Sequence, residues 1–465
     1  MVNPGGAAPV SSVSNPPPVG QNRVGSGSTP GDPVPSGRTS SGPTRSELRA
    51  ARVSGKRNRR WVVGLSGAAG VAALAAVLVA LLVIAPASPG KAELLPTPTL
   101  TADRAAMPSL AATDPTLPWP TTGQSAVAIP SIGYSSQSGG ETPVPVASMT
   151  KVMTAYVVLQ DHPLPSGTAP GPSITISTAD ANDYDTDVVS TQASVALQAG
   201  EVLTERQALE GMLVHSANDL AYSLAVWDAG SLPAFLAKMN ATAGTLGMTE
   251  THYVDASGYT PGSVSTAADL LKVASAAMAL PAFAQAVAMP AVTMPVAGMV
   301  STYTPLLPGG VTGPTPNVVG VKSGFTSAAG GGDILAYQAT VDGRPLLVLA
   351  AVTSQEMPTV LHAAGEMDLG LAQDAAGDVR SMQVVTAGHR VGTVSDAGAS
   401  VPVVATTSAS LLGWPGQTAK LTLIPGRQLQ PGDRAGSPAG IARYSIGAEH
   451  VTVQLATTAR LPSAS

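Results

Sequence analysis

The chain has 465 residues, 44% hydrophobic and 11% charged, enough to bury one or two cores. It contains no cysteine, which excludes a disulfide framework and a thiolate metal site, and its six histidines are scattered without an H-E-x-x-H pattern, which argues against a zinc peptidase. The net charge of −5 hides an asymmetry: residues 1–60 carry nine Lys/Arg against Asp32 and Glu47 (+7), and the remainder carries 15 basic against 27 acidic residues (−12). A basic end and an acidic body fit a membrane-proximal tail and argue against nucleic acid as a partner.

Residues 1–60 are rich in Pro, Gly and Ser and end in a basic segment, Arg45 to Arg60. With few large apolar residues they read as a disordered cytoplasmic tail. Val62 to Ala85 is an apolar run without a charge; about 24 residues are enough to cross a ~30 Å hydrocarbon core. Its length, and the sixty residues before it, favour an uncleaved signal anchor over a cleaved signal peptide ending at Ala85-Pro86-Ala87. Lys56, Arg57, Arg59 and Arg60 precede it, so the N-terminus is expected in the cytoplasm and everything from Pro86 onward outside the membrane. The divisions are then a tail (1–60), a transmembrane anchor (61–85) and a Pro/Thr/Ala-rich extended linker (86–118).

From Trp119 the texture changes. Ser125 to Ile129 reads as a strand with a hairpin partner beginning at Ile132-Gly133-Tyr134. Next come Ala147-Ser148-Met149-Thr150-Lys151 and the apolar run Val152 to Leu159. On a helix, Ser148 and Lys151 lie one turn apart on one face, with the hydroxyl in the positive field of the helix start. Ser173 to Ser177 alternates like a strand, and Thr204-Glu205-Arg206-Gln207 is a capping box opening a helix. That helix leads into His215-Ser216-Ala217-Asn218-Asp219, and further helices are expected around Leu220 to Trp227, Phe235 to Leu246 and Thr266 to Ala279. Asn317 to Val321 leads into Lys322-Ser323-Gly324-Phe325-Thr326. Two strands, Ile334 to Thr340 and Leu346 to Val352, flank the turn Asp342-Gly343. Pro358 to Gln373 is helical in pattern, and a boundary is placed near Asp374 to Gly377. Beyond it (376–465) only short Val/Thr/Ala-rich strands remain, and Val401 to Leu411 resembles Val451 to Leu461 in pattern.

Singly, these motifs are bland: a surface Ser/Lys pair, a polar loop between helices, a turn. Together and in this order, S-M-T-K at Ser148, S-A-N at Ser216 and K-S-G at Lys322 resemble the penicillin-recognising serine enzymes, with their S-x-x-K, S-x-N and K-[TS]-G signatures. The longer context narrows this. P-V-A-S-M-T-K, A-G-E-V-L-T (Ala199 to Thr204), L-G-M-T-E-T-H-Y (Leu246 to Tyr253), S-T-A-A-D-L (Ser265 to Leu270) and K-S-G-F-T-x-x-A-G are together similar to the serine-type D-alanyl-D-alanine carboxypeptidase family. The resemblance covers about Trp119 to Gln373. It implies an α+β fold for residues 119–375, an antiparallel sheet flanked by helices with an inserted helical subdomain, followed by a small β-rich domain.

The implied activity is release of D-alanine from peptidoglycan stem peptides through an acyl-enzyme, with β-lactams as inhibitors and no cofactor or metal. The roles the resemblance carries are Ser148 as nucleophile and Lys151 as base, its pKa depressed by Lys322. Ser216 relays a proton to the leaving amine and Asn218 holds the substrate peptide. Lys322 and Ser323, with Gly324, Phe325 and Thr326 of the same segment, line the substrate. The oxyanion hole would come from the N–H groups of Ser148 and Phe325. Two departures stand out: Ser323 replaces the usual threonine, and Thr353 to Met357 lacks the arginine with which many members grip the substrate carboxylate. No Glu-x-x-x-Asn follows the second motif to activate a deacylating water, which argues against a β-lactamase. The competing reading is a catalytically weak scaffold or sensor of wall peptide.

Overall fold

The computed structural model describes residues 98–103, 108–112, 115–310, 315–356, 360–396, 399–426 and 429–462. The expected tail, anchor and first part of the linker lie outside these residues. Among the described residues no single helix is long and apolar enough to cross a membrane.

The cleft is organised on a five-stranded antiparallel sheet. Its strands are β1 (Ser125–Ile129), β2 (Tyr134–Ser138), β3 (Val318–Thr326), β4 (Gly330–Val341) and β5 (Arg344–Gln355), in the spatial order β3-β4-β5-β1-β2. The turn joining β4 to β5 has positive φ at both Asp342 (49°) and Gly343 (74°), as the Asp-Gly dipeptide requires. Both faces of the sheet are covered, so β4 and β5 read as nearly continuous apolar runs. Ile334, Ala336, Leu349 and Ala351 face one core, while Leu335, Ala339, Val348, Ala350 and Val352 face another.

The first core is closed by helices. These are α1 (Lys151–Asp161), α2 (Thr178–Val189), α3 (Glu205–Val214), α4 (Asn218–Ala229), α5 (Leu232–Thr245), α6 (Ala267–Met278) and α7 (Pro281–Val287). The expected capping box is formed: Thr204 accepts from the Gln207 N–H and Gln207 from the Thr204 N–H. Thr266 caps α6 through the Asp269 N–H. Helix α2 was not expected, because T-A-D-A-N-D-Y-D-T-D-V-V has no apolar period; its signal is the capping box of Ser177 and Asp180.

The second core lies between the sheet, α8 (Val360–Asp378) and the C-terminal strands. Helix α8 continues through Asp374–Gly377, where the sequence suggested a boundary, and the strand Arg380–Val385 follows directly. A six-stranded antiparallel sheet completes this end, and within it Ala399–Ala405 and Glu449–Thr457, which hold the first halves of the two segments of similar pattern, are neighbours; the first segment then runs on into Ala409–Gly413, which pairs with Arg380–Val385. The linker reading needs correction at one point: Thr99–Ala102 is an edge strand of this sheet, pairing with Arg390–Asp396. A four-residue extended segment needs only a free edge to pair, and pairing satisfies its backbone groups.

The five-stranded sheet and the C-terminal strands with their turns meet through specific contacts. Tyr134 stacks on Trp414 with centroids 3.6 Å apart, the Ala448 N–H donates to Ser131 O at 2.9 Å, and Gln417 Nε2 donates to Ile132 O at 2.9 Å. Arg344 pairs with Glu449 at 2.6 Å. Trp414 is only 6% exposed, so Trp414→Ala is expected to cost about 3 kcal/mol or more. Denaturant unfolding followed by tryptophan fluorescence and far-UV circular dichroism should show one earlier transition by both probes. Loss of the C-terminal strands in a separate transition, with the rest unmoved, would show the two ends to be uncoupled.

Candidate active site

Ser148 sits in a single 3₁₀ turn, Ala147–Thr150, and Lys151 is the first residue of α1 behind it. The turn is held in a conformation that side-chain-bearing residues avoid: Ala147 has φ of 46°. Two glycines make room for it. A methyl on Gly258 would lie 1.7 Å from Ala147 O, and one on Gly324 would lie 2.8 Å from Ser148 N. The loop and the edge strand β3 therefore press on the nucleophile turn backbone to backbone.

Lys151 is fully buried and donates to three acceptors: Ser148 Oγ at 2.9 Å, Asn218 Oδ1 at 2.6 Å and Ser257 O at 2.9 Å. Two of these, an amide oxygen and a peptide carbonyl, can only accept. A neutral amine would keep its two N–H donors on them and turn its lone pair toward the Ser148 hydroxyl. Burial pulls the Lys151 pKa well below the ordinary lysine value and the charge of Lys322 pulls it further; Asp255, Asp219 and Asp187 act in the opposite sense.

The edge strand β3 brings the third motif. Lys322 is fully buried, donates to Ser323 O at 2.8 Å, and is pulled down to about 8 by burial, with Asp333 holding it up. Ser323 Oγ donates to Tyr303 O at 3.0 Å. Gly324 passes the nucleophile turn and Phe325 is exposed at the rim beside a hollow of about 480 Å³. Thr326 is turned to the chain itself, its Oγ1 accepting from the Ala329 N–H at 3.1 Å and closing the β3–β4 turn. Ser216 lies between α3 and α4 with φ of 60° and is 5% exposed; Asn218 opens α4 and donates from Nδ2 to Gln192 Oε1 at 2.7 Å. His215 leans on Tyr303 and bonds Ser301 O through Nδ1, on the outer wall.

Several contributors were not among the sequence candidates. Ser257 acts through its carbonyl, which no side-chain pattern reveals, although Asp255-Ala256-Ser257-Gly258 carries a turn signal. The Asp255 carboxylate builds that turn by accepting from the Gly258 and Thr260 N–H groups at 2.9 and 2.8 Å and from Ser263 Oγ at 2.6 Å. Asp187 on α2 and Asp219 on α4 stand in the field of Lys151 and are pushed up by burial to about 6 and about 7. At the end of β5, in the segment that lacks the arginine, Gln355 is buried and spends its amide on Thr122 O and Thr353 O.

Residues 136–353 match the peptidase S11 family model, described as D-alanyl-D-alanine carboxypeptidase. The D-alanyl-D-alanine carboxypeptidase DacB2 of Mycobacterium tuberculosis is 36% identical over 194 residues, covering 40% of this chain and 59% of its own length. The D-alanyl-D-alanine endopeptidase of Pseudomonas aeruginosa is 34% identical over 213 residues, covering 45% and 64%. The chain thus spans about three-fifths of the length of these curated relatives. A solved structure, a peptidoglycan synthesis regulatory factor (PBP3) from Streptococcus pneumoniae, shares the fold over 76% of this chain and 100% of its own, with a TM-score of 0.55 and 19% identity. The resemblance drawn from the motifs is borne out, as is an α+β architecture of antiparallel sheets and helices.

The pressure of Gly258 on the nucleophile turn is testable. On the reading of Ser148 as the nucleophile, Gly258→Ala should slow its acylation by a fluorescent penicillin about a hundred-fold, the effect of a misplacement near 1 Å, measured per folded molecule by circular dichroism. An unchanged rate would show that the turn does not need that close approach.

Proposed function

We propose that this chain, similar in motif and fold to the serine-type D-alanyl-D-alanine carboxypeptidases, is itself a carboxypeptidase that trims D-alanine from peptidoglycan stem peptides. The observation that carries this is Lys151, fully buried and 2.9 Å from Ser148 Oγ, with a pKa lowered by burial and by Lys322. A lysine becomes a usable base only under such conditions. In this reading Ser148 Oγ attacks the carbonyl of the penultimate D-alanine while its proton passes to Lys151. The N–H groups of Ser148 and Phe325 hold the oxyanion, each worth on the order of 3 kcal/mol. Ser216 passes a proton to the departing D-alanine amine, and water then resolves the ester on Ser148. Asn218 holds the substrate's peptide group and fixes Lys151. The ammonium of Lys322 and the hydroxyl of Ser323 receive the terminal carboxylate in place of the missing arginine. β-Lactams acylate the same serine.

The apolar run at residues 62–85 would anchor the protein, with residues 1–60 in the cytoplasm and the catalytic part outside the membrane. The charge step at Lys56 to Arg60 supports this orientation. Protease added to spheroplasts should then remove everything but the tail and anchor. A scaffold or sensor of wall peptide is the second reading, favoured by the lack of an arginine from Thr353 to Met357.

Release of D-alanine from a D-Ala-D-Ala peptide separates the two readings. Ser148→Ala and Lys151→Arg should each lose release, since arginine keeps the charge but cannot give up its proton. The wild-type rate should climb as pH rises through the lowered Lys151 pKa, because the neutral amine is the active form, and should fall again near pH 8 as Lys322 loses the ammonium that binds substrate. No release by wild type from pH 6 up to the ordinary lysine value of ~10.4 would establish the scaffold.

A further inference from the structure

Behind the cleft lies a set of charges that acyl transfer does not use. Asp333 on β4 stands directly opposite Ser323 on β3, one residue from Lys322, and is 1% exposed. Lys322 is paired in register with Ile334, whose side chain belongs to the core under α1. Neighbours on a strand alternate, so Asp333 shares the opposite face with Leu335, toward α8. There α8 contributes Asp368, which is fully buried. Asp333 Oδ1 and both carboxylate oxygens of Asp368 lack a hydrogen-bond partner of ordinary geometry, and among backbone groups only the Ile334 N–H near Asp333 and the Val352 N–H near Asp368 offset their burial. Unpaired buried carboxylates are costly unless they balance another charge.

Lys322 is the charge in reach. Among the described residues it makes no ion pair within 4 Å, and its recorded donation is to the Ser323 carbonyl. Its field is set by a short list of groups. Lys151, at the start of α1, shares a mutual repulsion with it, β4 brings Asp333, and Asp368 of α8 stands one step removed, beside Asp333. Helix α7 has no titratable residue, and the charge on β5, Arg344, is engaged by Glu449. On α8, Glu366 and Asp374 are exposed and His362 faces Glu366. Burial pushes Asp333 up to about 7 while Lys322 pulls it back; burial and the neighbouring Asp333 carboxylate push Asp368 well above the ordinary carboxylate range.

We propose that Asp333 is a positioning residue that keeps Lys322 an ammonium in the cleft, acting through the sheet from its far face, with Asp368 as the acid behind it. The carboxypeptidase reading enters only in what that ammonium then binds, the carboxylate terminus of a stem peptide. Asp333 touches neither substrate nor nucleophile. Its effect is confined to the pH at which Lys322 loses its charge.

The test uses the full chain in detergent with ¹³C at lysine Cε, the Lys322 resonance being identified by its loss in Lys322→Arg. In wild type this signal should titrate near pH 8. In Asp333→Asn it should titrate about one unit lower, the low end of what removing a nearby opposite charge does. Asp368→Asn should leave it in place, because Asp368 stands beside Asp333 and is not among the groups acting on Lys322. Acylation by a β-lactam should follow: at pH 8, Asp333→Asn should lose about five-fold, the drop in charged fraction for a one-unit shift. In a Lys322→Arg background the same substitution should not move the alkaline limb. If Asp333→Asn fails to fold, Asp333→Leu, which suits the apolar face toward α8, takes its place. An unmoved Lys322 titration in a folded Asp333 variant, or an equal shift in Asp368→Asn, overturns the proposal. A shifted titration in a chain that accepts no β-lactam and releases no D-alanine sinks the carboxypeptidase reading and leaves this one standing.

Discussion

Two lysines share one dry cleft, and the rest of the structure answers to that constraint. A buried cation is tolerated only with hydrogen-bond partners, a counter-charge or the loss of its proton. Lys151 has all three kinds of response available. Its acceptors come from the nucleophile turn, the start of α4 and the Ser257 loop, so three distant parts of the chain must meet at one nitrogen. Lys322 presses on it electrostatically, and the carboxylates of Asp255, Asp219 and Asp187 moderate that pressure. The site is a balance of charges before it is an arrangement of catalytic groups.

Geometry at the nucleophile follows the same economy of space. Ala147 and Ser216 both occupy the left-handed region, where a side chain costs of order 1 kcal/mol or more; Ala147 precedes the Ser148 hydroxyl and Ser216 carries its own. Each is held by what surrounds it: Ala147 by Gly258 and Gly324, Ser216 by the junction of α3 and α4. Such over-determined backbone keeps a hydroxyl in one place without any motion at the moment of reaction.

Much of this was legible in the sequence wherever a local rule had a local cause. The order of S-x-x-K, S-x-N and K-S-G, the capping box at Thr204 and the Asp342-Gly343 hairpin depend on neighbours a few residues away. Helix α2 escaped because its apolar surface is too small to impose a period, and the hairpin strands Ala291–Met294 and Gly298–Ser301 because they are short. The Ser257 carbonyl could not be read at all, since every residue has one. Asp333 and Asp368 were hidden for the opposite reason: an acid inside G-G-G-D-I-L or G-E-M-D-L looks like a solvated interruption. Only the packing of α8 on β4 shows both to be interior.

The place of β3 in the sheet has a consequence for how the molecule behaves in a crowd. It is an edge strand, so one row of its backbone N–H and C=O groups is left to the cleft. An open edge is a template for any extended chain, which suits an incoming peptide and equally invites another protein's strand. At the opposite edge, β2 reads Y-S-S-Q-S, a polar strand that offers a poor surface for stacking. Self-association by this sheet would therefore begin at β3 and would close the cleft beside Ser148. Crowding would then close the cleft as it drives association, and solubility and access to Ser148 would rest on the same nine residues.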